Sequence, residues 1–509
     1  MKNPKGIENT GKTEGNKLNW MQEKAGKQHK NLASGGKKNV YRPMDRQMHI
    51  FDYTLEDTFK LDPNNRWVKR GRLVPWELAE EKYMHMFRKH GRPSKDIRMA
   101  LGALLIQEYL KSSDEETVQS ITEQPYLQHF IGLKKYTNQP PFDSTLMVWF
   151  RKRLSANFMR EINEAMCREA AQPEKEKEAE DEDDEPHGGT LIVDATCAPA
   201  DIAYPTDTGL LAEAIENTDA MIDTMQEPLK GKKPRPRTYR VKSREAFTAF
   251  VKQRKPNKKT IRKCKAKQLN FLKRNLSMIR KMKETGSILT QRQQQRLDVI
   301  QTLLEQQREM YQNRSPRVDD RIVSLSQPHI RPIVRGKAGT PVEFGAKVQI
   351  SVVNGYVFVE HISYDSFYEG DQLKDAILNY YDRFGMLPSR ILADQAFTSR
   401  DNRKLCKELG IKLMGKPLGR PPKNPQPVCM NAGQRSEVEG KFGTLKTRYR
   451  WNRVMARLPE TGKTSITLAA FAMNLAKRAK SLLRQFKSWF SCWHFGDSLA
   501  AWFLCPFIR

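Results

Sequence analysis

The sequence predicts an α/β protein: a mixed five-stranded sheet with a large helical insert after its first strand, preceded by an all-α N-terminal domain. Residues 343–362 alternate apolar and polar side chains around a central Asn-Gly pair, which is typical of a β-hairpin. Residues 45–170 instead carry apolar side chains at helical spacing. A basic helical stretch at 230–320 separates a short β-branched strand at 191–196 from the hairpin.

Length and charge limit the function classes. The chain has 509 residues, more than one compact core usually holds, so two or three domains are expected. Its formal net charge is +30, which points to a polyanionic partner such as nucleic acid. An anionic membrane surface is the competing partner, but no apolar run approaches the roughly 20 residues of a membrane span. We therefore expect no membrane partner and a cytoplasmic, nucleoid-associated protein.

Cysteine and histidine give no metal signature. The seven Cys are scattered without a CxxC pair, and the nine His form no ligand-spaced group. This distribution argues against a disulfide framework and against a structural zinc site.

The helical pattern at 45–170 is interpreted as an N-terminal DNA-binding domain. Ser94 is predicted to cap the helix that follows Pro93, and Ser113 with Glu116 reads as a capping box for the next helix. Short capped helices of this kind are compatible with a helix-turn-helix arrangement.

The last of these helices is basic. It carries Arg151, Lys152 and Arg153 beside its apolar residues, and Arg151 and Arg153 are predicted to contact DNA. An ordinary helical packing domain with a solvated basic face explains the same pattern equally well.

Composition divides the rest of the chain. The predicted units are a disordered basic tail at 1–44, an acidic linker at 171–190 that contains "EKEKEAEDEDDE", an α/β domain at 191–485 with its helical insert at about 205–335, and an aromatic C-terminal tail at 486–509.

The insert carries much of the charge excess. Residues 230–283 hold 22 Lys or Arg against one acid, Glu245. So unbalanced a segment repels itself unless a polyanion binds it, which predicts contacts with the DNA backbone. The residues chosen for these contacts are Lys258, Lys259, Arg262 and Lys263.

Two short strands end at or near an acid. "LIVDAT" contains Asp194, and "ILADQAF" places Asp394 directly after three apolar residues. The predicted order is strand with acid, insert, hairpin, helix, strand with acid, helix and strand, which matches a ribonuclease-H-like fold. Ligand sites gather at strand ends in open α/β sheets, so both carboxylates are placed for chemistry. Lys347, on the polar face of the hairpin, is expected to be a solvated lysine.

A third acid is sought in "QRSEVEGKFGTLKTRYR". Arg435, Glu439, Phe442 and Lys446 recur at steps of four, three and four, so they share one helix face, whereas Glu437 lies about 200° away. The alternative is a surface helix with an ordinary salt-bridge stripe, in which Arg435 pairs with Glu439.

Several motifs together resemble the DDE transposases of bacterial insertion sequences, most closely the InsH-like branch. They are "LIVDATCAPADIAYPTDTGLL", "PVEFGAKVQISVVNGYVF", "ILADQAF" and "VEGKFGTLK", and the segment "PFDSTLMVWFRKRL" is similar to the end of that family's N-terminal domain. The resemblance covers residues 45–485. It departs at Ala432, where the family often has Tyr three residues before the Arg.

The resemblance implies a catalytic, metal-binding triad of Asp194, Asp394 and Glu439. It implies two Mg²⁺ ions, with Mn²⁺ as a substitute, and double-stranded DNA partners: terminal inverted repeats and a target. The expected reaction cleaves the backbone at element ends and joins the 3′-hydroxyl ends to the target. Arg435 and Lys446 are implied phosphate contacts, and a homodimer or higher assembly must pair the two ends. The alternative is a non-catalytic or cleavage-only DNA-binding protein derived from a transposase.

Overall fold

The N-terminal region is helical, as predicted. The computed structural model describes residues 39–41, 55–87, 92–177, 186–229, 234, 236–334, 342–415 and 432–494. The N-terminal helices are α1 (Leu55–Phe59), α2 (Arg66–Leu73), α3 (Trp76–Met84), α4 (Ile97–Leu110), α5 (Asp114–Glu123), α6 (Pro125–Phe130), α7 (Leu146–Arg153) and α8 (Ala156–Ala171).

Local capping explains where two of these helices begin. The predicted capping box of α5 is confirmed, because Ser113 and Glu116 each bond the other's backbone N–H. The predicted cap of α4 was wrong. Asp96, not Ser94, accepts a hydrogen bond of 2.6 Å from the backbone N–H of Arg98. Both positions carry a capping residue, and only the backbone course after Pro93 decides between them.

One mixed sheet forms the centre of the chain. Its strands are β5 (Thr190–Pro199), β6 (Arg331–Val334), β7 (Val342–Val353), β8 (Tyr356–Ser363), β9 (Arg390–Ala393) and β10 (Lys412–Met414). The spatial order is β10-β9-β5-β7-β6, and β8 also pairs with β7. Strands β5, β9 and β10 are mutually parallel, whereas β7 is antiparallel to β5, β6 and β8.

The expectation of five strands is corrected to six within the described residues. The added strand, β6, pairs with the first part of β7, from Val342 to Gly345. Its sequence, Arg-Pro-Ile-Val, contains Pro332, which has no backbone N–H to donate to a neighbouring strand. The proline is tolerated because β6 lies at the sheet edge.

The hairpin between β7 and β8 forms at the predicted Asn-Gly pair. Asn354 and Gly355 have φ values of 47° and 74°, the left-handed conformations that a two-residue hairpin turn requires. The turn is anchored, because Asn354 Nδ2 donates to the carbonyls of Ala171 and Gln172 at the end of α8.

Helices cover the sheet and join it to the N-terminal region. They are α13 (Leu373–Phe384), α14 (Arg400–Glu408), α15 (Ala432–Arg448) and α16 (Pro459–His494). A single apolar cluster runs from Trp67 through β5 and β7 to Leu475. Asn474 of α16 ties the parts together, since it bonds Val357 of β8 and Asn163 of α8. The two regions therefore share one core.

The insert has a separate core. Its helices are α9 (Asp207–Gln226), α10 (Arg240–Val251), α11 (Lys258–Glu284) and α12 (Gln291–Gln312). Their apolar cluster spans Leu210 to Leu325 and contains no residue of the sheet. Asp207 fastens three parts of the insert, because its carboxylate accepts from Lys265 (3.0 Å), Gln307 (3.1 Å) and Arg321 (2.8 Å).

Short ladders occur at two predicted boundaries. Within the predicted tail 1–44, β1 (Asn39–Val40) pairs with β2 (Arg92–Pro93), and residues 1–38 lie outside the described residues. Within the predicted linker, β3 (Lys175–Lys177) pairs with β4 (His187–Gly188) across residues 178–185, which are not described. In the predicted C-terminal tail, α16 continues to His494, and 495–509 lie outside the described residues.

Candidate active site

The sheet brings Asp194 and Asp394 together. Strands β5 and β9 are parallel neighbours, and Val193 is the register partner of Ala393. Asp194 and Asp394 are the residues that follow these partners, Asp194 within β5 and Asp394 just after β9, so the two lie at the same level of neighbouring strands. Asp394 ends β9 because its carboxylate caps the turn that follows, accepting 2.6 Å from Gln395 N–H.

Asp194 lies in a partly buried, negatively charged environment. Burial raises the pKa of its carboxyl from 3.8 to about 6. The hydrogen bond from Ala195 N–H (2.7 Å) and the nearby Arg435 lower this pKa, whereas Glu369 and Asp394 raise it. A cation bound nearby would relieve the like-charge repulsion on this carboxylate.

Helix α15 is fixed beside these aspartates. Val438, Phe442 and Leu445 are buried along one side of the helix, which packs on β5. This rotation directs Arg435 to Asp394, and the two side chains form an ion pair of 3.2 Å. Arg435 thus contacts the second aspartate of the predicted triad.

Glu439 lies one turn after Arg435 on the same face of α15, and its side chain is exposed. Glu437 points elsewhere, since it pairs with Lys441 (3.5 Å) and lies beside Gly355 of the hairpin turn. Among the described residues, no three His, Cys, Asp or Glu side chains are gathered closely enough to hold one metal ion. The three-acid site therefore stays a prediction, with two of its members adjacent.

The sequence reasoning missed Glu369 and misjudged Lys347. Lys347 is not a solvated lysine, because its side chain is only 13% exposed and pairs with Glu369 at 3.0 Å. Its ammonium also donates 2.7 Å to the carbonyl of Phe367. The turn holding Glu369 packs against the turn after Asp394, since a Cβ on Gly370 would lie 2.7 Å from Ala396 O. The sequence signal that could have revealed Glu369 was an acidic residue a few positions after the end of β8.

We expect the substitution Glu369→Gln to lower the pKa of Asp194, because a neighbouring negative charge disappears while Lys347 remains. Carboxyl ¹³C chemical shifts in a pH titration of aspartate-labelled protein measure this change. Glu408→Gln is the matched control, because Glu408 is exposed and pairs only weakly, at 4.0 Å, with Lys404. An Asp194 pKa that stays the same or rises would contradict the assigned electrostatics.

The predicted DNA-binding arginines of α7 contact the protein itself. Arg151 forms a two-pronged ion pair with Asp114, at 2.5 and 2.9 Å, and also donates to Gln107. Arg153 lies 4.2 Å from the ring centroid of Phe87. Lys152, between them, is exposed.

Of the four predicted DNA-binding residues of the insert, three are exposed and one contacts the protein itself. Lys258, Lys259 and Lys263 are exposed on α11, whereas Arg262 is half-buried and donates 2.9 Å to the carbonyl of Tyr311. Further along α11 the exposed face continues with Lys267, Lys273, Arg274, Arg280 and Lys281. The result is a cationic stripe along a 27-residue helix, about 40 Å long.

Comparisons with known proteins agree with this layout. Residues 391–476 match the family described as "Transposase DDE domain", and residues 56–153 match "Transposase domain (DUF772)". An uncharacterized protein, ORF8 in the nfe locus of Rhizobium meliloti, is 28% identical over 175 residues, which cover 34% of this chain and 80% of that protein. No solved structure matches.

The two matched segments contain several of the helices and strands described above. The first begins at "ILADQAF" and extends through α15 into α16, and the second covers α2 to α7 with most of α1. In the described part of the chain, no helix combines the length and apolar character needed to cross a membrane. The InsH-like branch stays a prediction from the sequence. Two separate segments of the chain are thus each similar to a transposase domain, and the one at 391–476 is similar to a DDE domain.

Proposed function

We propose that this chain is a DNA transposase that binds the ends of an insertion element, cleaves the phosphodiester backbone and joins the 3′-hydroxyl ends to target DNA. The observation that carries the proposal is the placement of Asp194 and Asp394 after register partners on adjacent parallel strands, with Arg435 of α15 on Asp394. Strand order β8-β7-β5-β9-β10, with only β7 antiparallel to β5, supports a ribonuclease-H-like assignment for the sheet.

The donor set fits divalent cations of the Mg²⁺ type. Mg²⁺ is usually bound through one or two carboxylates, several waters and substrate phosphates, so adjacent Asp194 and Asp394 are a sufficient start. Glu439 is the proposed third ligand. Two such ions, when bound, would assist the attacking oxygen and stabilise the leaving oxygen in displacement at phosphorus.

The chain's own residues position the reaction. β5 and β9 hold the two carboxylates on a rigid sheet, with Asp394 further fixed by its cap on Gln395. Arg435 and Lys446 lie on the α15 face that also carries Glu439, where cationic side chains can bind phosphate oxygens. The cationic stripe of α11 supplies contacts to the DNA backbone farther along the duplex. Two protomers are proposed for the complex, because two element ends must be paired.

A joining assay tests this proposal. Purified chain is mixed with Mg²⁺, a target plasmid and duplexes that carry the element's terminal repeat, one set intact and one set pre-cleaved to expose the 3′-hydroxyl. We expect cleavage of the first set and covalent joining of the second. Mn²⁺ is expected to support both reactions when it is supplied instead of Mg²⁺. Cleavage without joining would assign a nuclease, and binding without either would assign a non-catalytic descendant. Duplexes of scrambled sequence are the control.

Neutralising the exposed insert lysines is expected to flatten the salt dependence of DNA binding. Each phosphate contact contributes about 0.9 to the slope of log K against log salt, so the triple variant Lys258→Gln, Lys259→Gln, Lys263→Gln should lose about 2 to 3. Fluorescence anisotropy at several salt concentrations measures this slope. Arg262→Gln is the comparison, because its guanidinium already bonds Tyr311 and should change the slope little. An unchanged slope in the triple variant would place the DNA elsewhere.

A further inference from the structure

A cleft of about 870 Å³ lies between the two segments that match transposase families. One wall comes from the end of α4, the start of α5 and α7, and the other from residues 447–458 and the start of α16. Bonds join the walls across the cleft: Lys111 Nζ donates to Thr447 O (2.9 Å), and Arg450 Nη2 donates to Ser112 O (3.3 Å). Hydrogen bonds therefore hold the two walls of the cleft in place.

The rim of the cleft is cationic and its floor is apolar. The exposed cations of the lining are Lys111, Lys152, Arg453 and Arg457, of which Arg453 is paired with Asp201 at 2.6 Å. Its two acids are withdrawn from the rim, because Asp114 is paired with Arg151 and Glu108 is 6% exposed. Trp451 and Ile466 are buried beneath. An anionic ligand that stays partly in solvent fits this arrangement.

Two of the cleft's basic residues adopt an unusual backbone conformation. Lys111 and Arg450 have φ values of 56° and 57°, in the left-handed region that favours glycine. Lys111 occupies the position after α4 where glycine commonly ends a helix. Both side chains make the bonds that join the two walls, so they fix the width of the cleft.

The cleft is close to the candidate active site along α15. From Arg435, which contacts Asp394, to Thr447 in the cleft wall, the helix rises about 18 Å, at about 1.5 Å per residue. That distance equals about five nucleotide steps of one DNA strand, at about 3.4 Å per step. A duplex held at the acids would therefore bring its phosphates to the cleft within the same half turn.

We propose that this cleft binds the phosphodiester backbone of DNA a few nucleotides from the reacting phosphate. The assignment rests on the proposed DNA-joining function. The cleft lies between the segments at 56–153 and 391–476, so the strand bound there contacts both. The phosphates bound in the cleft come either from the DNA of the element end or from the target DNA, since both present the same backbone.

The test uses the full chain carrying Lys111→Gln, Lys152→Gln and Arg457→Gln. In the first arm, EDTA prevents cleavage, and anisotropy gives the salt slope for a terminal-repeat duplex. In the second arm, chain already bound to pre-cleaved ends captures a labelled target duplex, again in EDTA. The control triple variant, Lys404→Gln, Lys407→Gln and Lys412→Gln, changes three exposed lysines outside the cleft and alters net charge equally. Thermal melting verifies that each variant is folded.

We expect the cleft variant to lose about 2 to 3 in salt slope and the control variant less than about 1. A loss in the first arm assigns the cleft to the element end, and a loss only in the second assigns it to the target. Slopes equal to those of the control in both arms would overturn the inference. Because no arm requires catalysis, a wild-type chain that fails to cleave or join would instead overturn the proposed function.

Discussion

Replacing Asp394 with alanine is expected to reduce strand cleavage and joining by about 10³-fold, equivalent to about 4 kcal/mol of transition-state stabilisation. The carboxylate is adjacent to Asp194 and is the proposed link between the sheet and the metal ions. Folding should be nearly unaffected, because the side chain is 45% exposed and its ion pair with Arg435 is therefore weak. Gel assays of cleaved and joined products measure the loss.

DNA affinity separates a metal site from a binding surface. Loss of one carboxylate removes no phosphate contact, so the dissociation constant in EDTA should stay within a few-fold of wild type. Asp401→Ala is the matched control, since Asp401 is an exposed acid at the start of α14. If the Asp394 variant lost DNA binding in proportion to its activity, or kept its activity, the proposed role of Asp394 would fail.

Replacing Arg383 with methionine is expected to lower the free energy of unfolding by about 3–5 kcal/mol. The Arg383 and Glu360 side chains are 5% and 2% exposed and form a two-pronged ion pair at 2.6 and 2.9 Å. Ser351 and Asn379 also donate to Glu360, so its carboxylate is ionised inside the core. Without the guanidinium this negative charge is left buried and uncompensated.

Urea denaturation of the variant and wild type measures this difference. Lys404→Met, at a pair whose side chains are 79% and 53% exposed, is the control and should change stability by less than about 0.5 kcal/mol. The double variant Glu360→Leu, Arg383→Met should lose less than Arg383→Met alone, because the fully buried Glu360 charge is removed too and only Glu164, 22% exposed, is left without its partner. A single variant as stable as wild type would show that the pair contributes nothing.

The same ion pair sets a pH dependence with a definite sign. The Arg383 guanidinium and the donated hydrogen bonds hold the pKa of Glu360 below its ordinary value of 4.5. The contribution of Glu360 is therefore fully present above pH 4.5 and is lost as the pH falls through the lower folded pKa. This window lies well below neutral pH, where the transposition assays are run.

Local patterns predicted much of the fold. Period-two alternation and the Asn-Gly pair give β7 and β8, and the capping box at Ser113 gives α5, because these signals act within a few residues. The sequence did not reveal β6, since Pro332 is acceptable only at an edge, and edges are defined by the assembled sheet. The choice of Asp96 over Ser94 as a cap depends likewise on the backbone direction after Pro93.

The sequence pointed to two acids that the sheet places on neighbouring strands, but it did not reveal the partners of the basic residues. Asp194 and Asp394 are neighbours because they follow register partners on parallel strands. Asp394 comes directly after β9, as predicted, whereas Asp194 lies within β5, which continues to Pro199 instead of ending near the acid. The partners of Lys347 and Arg151 are not visible, because Glu369 and Asp114 are 22 and 37 residues away along the chain. The sequence alone does not show whether a basic residue pairs with a DNA phosphate or with a carboxylate of the protein.

The two ends of the insert lie close together beside the sheet, and this has a consequence for how such chains diversify. Gln327 Nε2 donates to the carbonyl of Asp201 at 3.3 Å, so the two ends of the segment 202–326 are neighbours. Its apolar cluster is its own. An insert whose two ends are neighbours and whose apolar core is separate can be exchanged, shortened or remodelled without repacking the sheet. The reach of the cationic stripe can therefore evolve separately from the chemistry of the carboxylates.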